Sequence, residues 1–223
     1  HEGGQVYVIP FAALLRGPVD AVALQKALTL LEERHDALRL RVALDAPEQS
    51  LAPAGGLRLE CYDTPLTDAA YLGIRLPLGS ERPLVRVALF RQEDGSHALL
   101  FCFHHIIFDG WSAEVITREL NEAYGAVLQG SVPQWRPLDL DFASYALWES
   151  QREAEGLEQI CSDLAPLPER LRLPLDYPRP AVQRFEGAVQ SFDLGLERSH
   201  AFKDWALRAG VTVFPVLLAL VDA

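Results

Sequence analysis

Phe101-Cys102-Phe103-His104-His105-Ile106-Ile107-Phe108-Asp109-Gly110-Trp111-Ser112 is the stretch on which the reading of this chain turns. It closes an apolar run, Ala98 to Phe103, of the kind that fills a strand buried on both faces. Two histidines end the run. A short apolar bridge, an Asp-Gly turn signal and Ser112, a good helix N-cap, follow. The stretch predicts strand, polar loop and helix start, a junction on which rigid scaffolds often carry chemistry.

In an extended segment neighbouring side chains point to opposite faces, so His104 and His105 do not converge on one metal or one substrate. One is expected to face inward, held by hydrogen bonds, and the other to face a cavity. A zinc site needs three or four convergent ligands, which this geometry does not supply; no metal is expected, and Cys102 reads as core. A serine nucleophile sits on a sharp elbow, and Gly110-Trp111-Ser112-Ala113-Glu114 lacks that motif's second glycine. What remains is one imidazole, with a pKa near neutrality, as general base or positioning group, and Asp109 four residues later. For a lone histidine the ordinary alternative is a satisfied core residue beside an acidic helix start favoured by the helix dipole.

Upstream, Gln5 to Leu15 reads as a strand. Asp20 caps a helix running to about Arg34, with Leu24, Ala27, Leu28 and Leu31 on one stripe. Arg34-His35-Asp36-Ala37-Leu38-Arg39 follows, its cations suited to a helix end, and then Leu40 to Leu44 alternates as a strand. Residues 46–56 read as a connection, Leu57 to Tyr62 as a half-buried strand, and Thr67 to Leu76 as a short helix. Leu84 to Arg91 alternates again. Glu93-Asp94-Gly95-Ser96 then turns the chain into a hairpin whose return strand ends in the two histidines. Downstream, Ile116, Leu120, Tyr124 and Val127 share a helix face that stops at Gly130. Leu138 to Glu153 predicts a second helix with Phe142, Tyr145 and Trp148 as a core stripe. Ala188 to Leu194 predicts a strand, Glu197 to Ala209 a helix closed at Gly210, and Thr212 to Ala223 a final apolar helix. The fold class is an α/β (α+β) sandwich with a mixed, largely antiparallel sheet covered by helices; the hairpin disfavours a doubly wound sheet.

The 223 residues suffice for one sizeable core or two small ones. No apolar run approaches the ~18 residues of a membrane span, and a formal charge of −11 argues against nucleic acid. The three cysteines are widely spaced, which disfavours a disulfide framework and fits a reducing, cytoplasmic setting. Methionine is absent and the last helix pattern has no stop signal, so the chain reads as a fragment.

The central stretch resembles the His-His-x-x-x-Asp-Gly signature of condensation domains from nonribosomal peptide synthetases, whose fold is related to chloramphenicol acetyltransferase. Its Trp111-Ser112 continuation is the one usual in peptide-bond-forming members. Arg34 to Arg39 is similar to the family's Arg-His-Glu-x-Leu-Arg motif, with Asp36 in the Glu position. Leu140 to Trp148 resembles its Tyr-x-Asp-Phe-Ala-x-Trp region, with extra residues before the final Trp. Leu171 to Pro180 resembles its Leu-Pro-x-Asp-x-Pro-Arg-Pro segment. The resemblance implies an N-terminal, acetyltransferase-like lobe over 1–180, with 181–223 as crossover strand and start of a truncated C-terminal lobe. The missing C-terminal lobe would supply the opposite wall of the tunnel, so the isolated fragment is expected to be inactive.

The activity implied is amide-bond formation between a donor thioester and an acceptor amine. Each is carried on the phosphopantetheine of a peptidyl carrier protein, upstream and downstream; no cofactor is bound directly, and an adenylation domain is expected to adjoin. His105 is the catalytic candidate, as base or hydrogen-bonding positioner. Backbone N–H groups around Gly110 offer an oxyanion site, and His104 and Asp109 act as structural support. Arg39, or else Arg34, is the expected ion-pair partner of Asp109. Phe108, Trp111 and Ser112 are assigned to the substrate tunnel. A CoA-dependent acyltransferase of the same superfamily, or a degenerate recruitment module, are the rivals.

Overall fold

In the computed structural model the described residues are 6–46, 48–152, 156–168, 174–182 and 187–221. The architecture grows from β6 (His97–His104), whose side chains alternate between two hydrophobic clusters. Leu99, Phe101 and Phe103 enter the larger one, while Ala98, Leu100 and Cys102 enter the smaller. A strand with apolar side chains on both faces needs cover on both, and β6 has it. It lies between β1 (Val8–Leu15) and β5 (Val85–Arg91), antiparallel to each, with Val8 opposite His104 and Val85 opposite Phe103. The β5–β6 hairpin turns at Gly95, whose φ of +81° suits glycine. Asp94 accepts hydrogen bonds there from the Ser96 amide (2.9 Å) and hydroxyl (2.6 Å). Beyond β5, β4 (Leu59–Tyr62) pairs in parallel, giving the order β1-β6-β5-β4 among the described residues. The sheet is mixed and mainly antiparallel, as expected.

Two helices cover the larger cluster. α1 (Ala21–Arg34) begins where the Asp20 carboxylate accepts from the amides of Val22 and Ala23, both at 2.9 Å, and buries Leu24, Ala27, Leu28 and Leu31. Each such leucine contributes about 1.5–3 kcal/mol on leaving water. α3 (Gly110–Leu128) buries Ile116, Leu120 and Ala123 alongside α1, and the Tyr124 hydroxyl accepts from the Asp20 amide at 2.8 Å. The other sheet face is covered in part by Ile74 and Leu76. The helix expected over Thr67 to Leu76 is a single turn, α2 (Ala69–Leu72); Ile74 and Leu76 follow it outside any helix and are buried in the smaller cluster.

Other boundaries shift for similar reasons. The strand expected from Leu40 to Leu44 stops early as β2 (Leu40–Val42) and pairs with β3 (Gln49–Leu51), inside the segment expected to be a plain connection. α4 (Phe142–Ser150) starts late because Asp141 caps it, its side chain accepting from Ser144 N at 2.7 Å. Its stripe of Phe142, Tyr145 and Trp148 is 40–49% exposed, so it is not core among the described residues. Glu153, where that helix was expected to end, lies outside them, as do Gln5 and Leu171 to Leu173. α5 (Leu157–Leu164) follows.

Contacts divide the chain into a unit from His1 to Asp176 and a second from Tyr177 to Ala223. In the second, the described residues from 187 to 194 form no strand, contrary to the expectation for Ala188 to Leu194. α6 (Gly195–Arg208) and α7 (Val213–Val221) then follow, joined through Gly210. Among the described residues no single helix is long and apolar enough to cross a membrane.

Candidate functional site

The end of β6, the loop after it and the start of α3 bring the central stretch together. His104 is buried; its amide bonds Leu84 O at 2.8 Å and its ring stacks 6.0 Å from Tyr7. Nδ1 accepts the Ile106 amide at 3.1 Å, which leaves the ring proton on Nε2. Burial, with His105 nearby as a lesser cause, lowers its pKa, so His104 is a neutral pin for the loop. His105 is held only by its backbone, its amide donating to Tyr7 O at 2.7 Å, and its side chain is exposed. Half of the expected division is observed: the His104 ring is inside and hydrogen bonded, while the His105 ring is exposed and does not line a cavity here.

Asp109, not Ser112, is the N-cap of α3. Ser112 occupies the third helical position of a capping box. The carboxylate accepts from the Ser112 amide (2.8 Å) and hydroxyl (2.6 Å), and these bonds hold its pKa below the ordinary carboxylate value. Neither expected arginine reaches it. Arg39 bonds Glu32 O (3.0 Å), Ala52 O (3.1 Å) and the Asp36 carboxylate. Arg34 bonds Glu119 (2.9 Å) and Arg136 O (3.0 Å) and lies over the Trp135 ring. Both guanidiniums are occupied close to α1, and Ser112 meets the need locally. Gly110 opens the helix with nothing within 4 Å of where a Cβ would stand, so its face is free for close approach. Its N–H belongs to the first turn, whose donors have no intrahelical acceptor.

Beside this loop is a cavity of about 320 Å³. Phe108, Trp111 and Ser112 all line it, together with Asp109, and its far side is made by His35 and Leu38. Phe108 is a wall: it is 6% exposed and stacks on Phe103 at 3.8 Å between ring centroids. Trp111 is 78% exposed at the rim. His105 does not line this cavity, so the opening it was expected to face is instead the exterior of the loop.

Two buried carboxylates went unrecognised in the sequence. Glu119, on the apolar stripe of α3 between Ile116 and Leu120, takes Arg34 Nε at 2.9 Å and His35 Nε2 at 2.6 Å. Burial alone would raise its pKa, but the hydrogen bonds from His35 and Arg34 outweigh it and lower it. Glu32 is 1% exposed and accepts the amides of Gly55 (2.7 Å), Gly56 (3.0 Å) and Leu57 (3.1 Å). The signal available for both was a charged residue at a helical spacing that belongs to the core face. Among the described residues no cluster of three or more His, Cys, Asp or Glu side chains is placed to hold a metal ion.

Comparison with known proteins identifies the family of the chain. The condensation-domain family model matches residues 1–223. CymA of Salinispora arenicola, described as a probable non-canonical nonribosomal peptide synthetase, is 34% identical over 96% of this chain and 3% of its own length. The X-domain of teicoplanin biosynthesis, solved in complex with OxyB, superposes with a TM-score of 0.68 at 30% identity, over 79% of this chain and 42% of that one. SgcC5 of Streptomyces globisporus superposes with a TM-score of 0.72 at 25% identity, over 97% of this chain and 52% of that one. The chain thus spans about half of these solved proteins and a few per cent of the synthetase.

Proposed function

We propose that this chain, which belongs to the condensation-domain family, carries the catalytic loop of an amide-bond-forming acyltransferase. The amine of an acceptor on one carrier protein attacks the thioester carbonyl of a donor on another. A C–N bond forms, the C–S bond breaks, and the proton lost by the amine ends on the departing thiol. The substrates arrive on phosphopantetheine arms, and holding both at one place supplies much of the rate by proximity. An upstream and a downstream peptidyl carrier protein, an adjoining adenylation domain and a second lobe, beginning at about residue 181, complete the arrangement.

The observation that carries this reading is the contrast between the two histidines. His105 is presented outward by a strand end that His104, with its buried ring bonded to Ile106 N, holds in place. An exposed imidazole serves either as the base for the amine proton or as a hydrogen-bonding positioner. Gly110 leaves room for the tetrahedral intermediate at the start of α3, where its own amide suits an oxyanion. Asp109 and Ser112 lock the turn that sets this distance.

The test is coupling between loaded donor and acceptor carrier proteins, with the C-terminal lobe supplied. His105→Ala is expected to lower coupling at least ~10²-fold with the fold unchanged. Coupling at the wild-type rate would overturn the proposal. Likeness to the X-domain, solved with OxyB, favours one second reading: a platform that recruits a partner without chemistry. That reading expects partner binding and no His105-dependent product, so the same assay separates the two. Transfer from free acyl-CoA without a carrier would mark the CoA-dependent alternative.

A further inference from the structure

Three consecutive backbone amides shape the turn that follows β6, and two residues accept all of them. The His105 amide donates to Tyr7 O at 2.7 Å, the Ile106 amide to His104 Nδ1 at 3.1 Å and the Ile107 amide to His104 O at 3.0 Å. Two of these acceptors are backbone carbonyls, which do not titrate. The third is a ring nitrogen that accepts only while the imidazole is neutral, because a protonated ring is a donor at both nitrogens. The turn at Ile106 therefore keeps its shape only while a second proton stays off His104.

The group placed to keep that proton away is Tyr7, immediately before β1. Its ring stacks on the His104 ring at 6.0 Å between centroids and 23° between planes, within the range of offset aromatic pairs. Tyr7 is 52% exposed and His104 only 6%, although His104 ends its strand. The half-exposed ring thus stands between the buried one and solvent. Burial is the larger cause that lowers the His104 pKa, and His105 on the same element is the lesser. On the neighbouring elements, Arg86 of β5 is bonded to Glu60, and Asp109 at the start of α3 to Ser112. We infer that Tyr7 is a positioning residue for the reaction: its ring shields His104, keeps the Ile106 amide on Nδ1 and so fixes the turn that presents His105. The inference rests on the condensation reading for its effect on turnover, while the state of His104 is measured without substrate. Tyr7 meets no reacting atom; it acts through His104.

Tyr7→Ala retains the carbonyl that holds the His105 amide, so it isolates the ring. Long-range nitrogen–proton NMR spectra of the 223-residue chain are expected to show wild-type His104 as the Nε2–H tautomer, titrating below 6.5. In Tyr7→Ala the same titration is expected to move up toward 6.5, as water reaches the ring. In coupling between loaded carriers, with the C-terminal lobe supplied, the ratio of variant to wild-type kcat cancels the titration of His105 itself. That ratio is expected near one at pH 8 and as much as about fourfold lower at pH 6, where an ordinary histidine is about one quarter neutral. KM for the loaded carriers is expected to stay unchanged. Tyr7→Phe restores both readouts. Tyr7→Leu, which keeps apolar bulk at the start of β1, moves His104 in the same direction by less and repeats the test should Tyr7→Ala fail to fold. A His104 titration that no variant moves, a kcat ratio equal at both pH values, or Tyr7→Phe behaving as Tyr7→Ala overturns the assignment. His105-dependent coupling with a flat ratio sinks the role of Tyr7 alone; a shifted His104 in a protein that never couples sinks the condensation reading alone.

Discussion

Two short segments of this chain carry a histidine among charged residues and pack within reach of one cavity, yet they are built in opposite ways. In the Arg34–Arg39 segment every charged side chain is engaged within the protein: Arg34 and His35 with Glu119, Arg39 with Asp36 and two carbonyls. In the His104–Ser112 loop the inward groups are equally well satisfied, but His105, Gly110 and Trp111 are left open. A polar group whose capacity is used up by the fold holds structure; one presented by a rigid frame with capacity to spare is available for chemistry. The first segment braces, and the second works.

The sharpest way to break that contrast is to exchange the consequences of mutation. His105→Ala is expected to cost at least ~10²-fold in coupling while the melting temperature of the chain stays within about a degree, since the ring has no internal partner. Glu119→Ala should do the reverse. It strands Arg34 and His35 beside α3, and removing one member of a buried ion pair costs about 3–5 kcal/mol, readable in urea melts. Glu32→Ala is expected to cost about 3 kcal/mol in the same assay, because three amides at Gly55 to Leu57 lose their acceptor. Asp109→Ala removes a capping box and should lower stability by about 1 kcal/mol. An Asp109→Ala chain that is fully stable yet wholly inactive would show that the carboxylate acts in chemistry and not only in the turn.

The smallest effect is in pH dependence. His104 has a folded pKa below its unfolded value of 6.5, so the unfolded chain binds the proton more readily. Its contribution is complete above pH ~6.5 and is lost as pH falls through that value toward the folded pKa. His104→Asn keeps an acceptor for the Ile106 amide and removes the titration. Its stability between pH 5 and 7 is expected to be flatter than that of the wild type, measured by denaturant melts at each pH.

What the sequence made legible were the elements with a strong local signal. β6 is an apolar run, the hairpin has Asp94-Gly95 at its tip, α1 shows both its cap and its stripe, and α3 shows its stripe, although its cap is Asp109 and not the expected Ser112. What escaped were the features decided by residues far apart in the chain. Glu32 meets Gly55 to Leu57, and Glu119 meets Arg34 and His35, across separations of 23 residues and more that no periodicity records. Asp109 was read with the right loop and the wrong partner, since an ion pair to Arg39 and a bond to Ser112 look alike until the guanidinium is seen to be taken. β3 was invisible because three exposed residues carry no pattern. The cavity was only half legible: Phe108, Trp111 and Ser112, which line it, had been singled out for a substrate tunnel, and His35, which lines it too, had not.

Phe101, Phe103 and Phe108 form a column of nearly parallel rings, 5.5 and 3.8 Å between centroids and within 4° of coplanar orientation. It runs from the central strand to the cavity wall. Stacked rings displace each other's proton resonances through their ring currents, with steep dependence on spacing and tilt. A guest that nudges Phe108 would therefore write its presence into the spectrum of Phe103 in the interior, and a single selectively labelled phenylalanine pool would report occupancy with no probe attached.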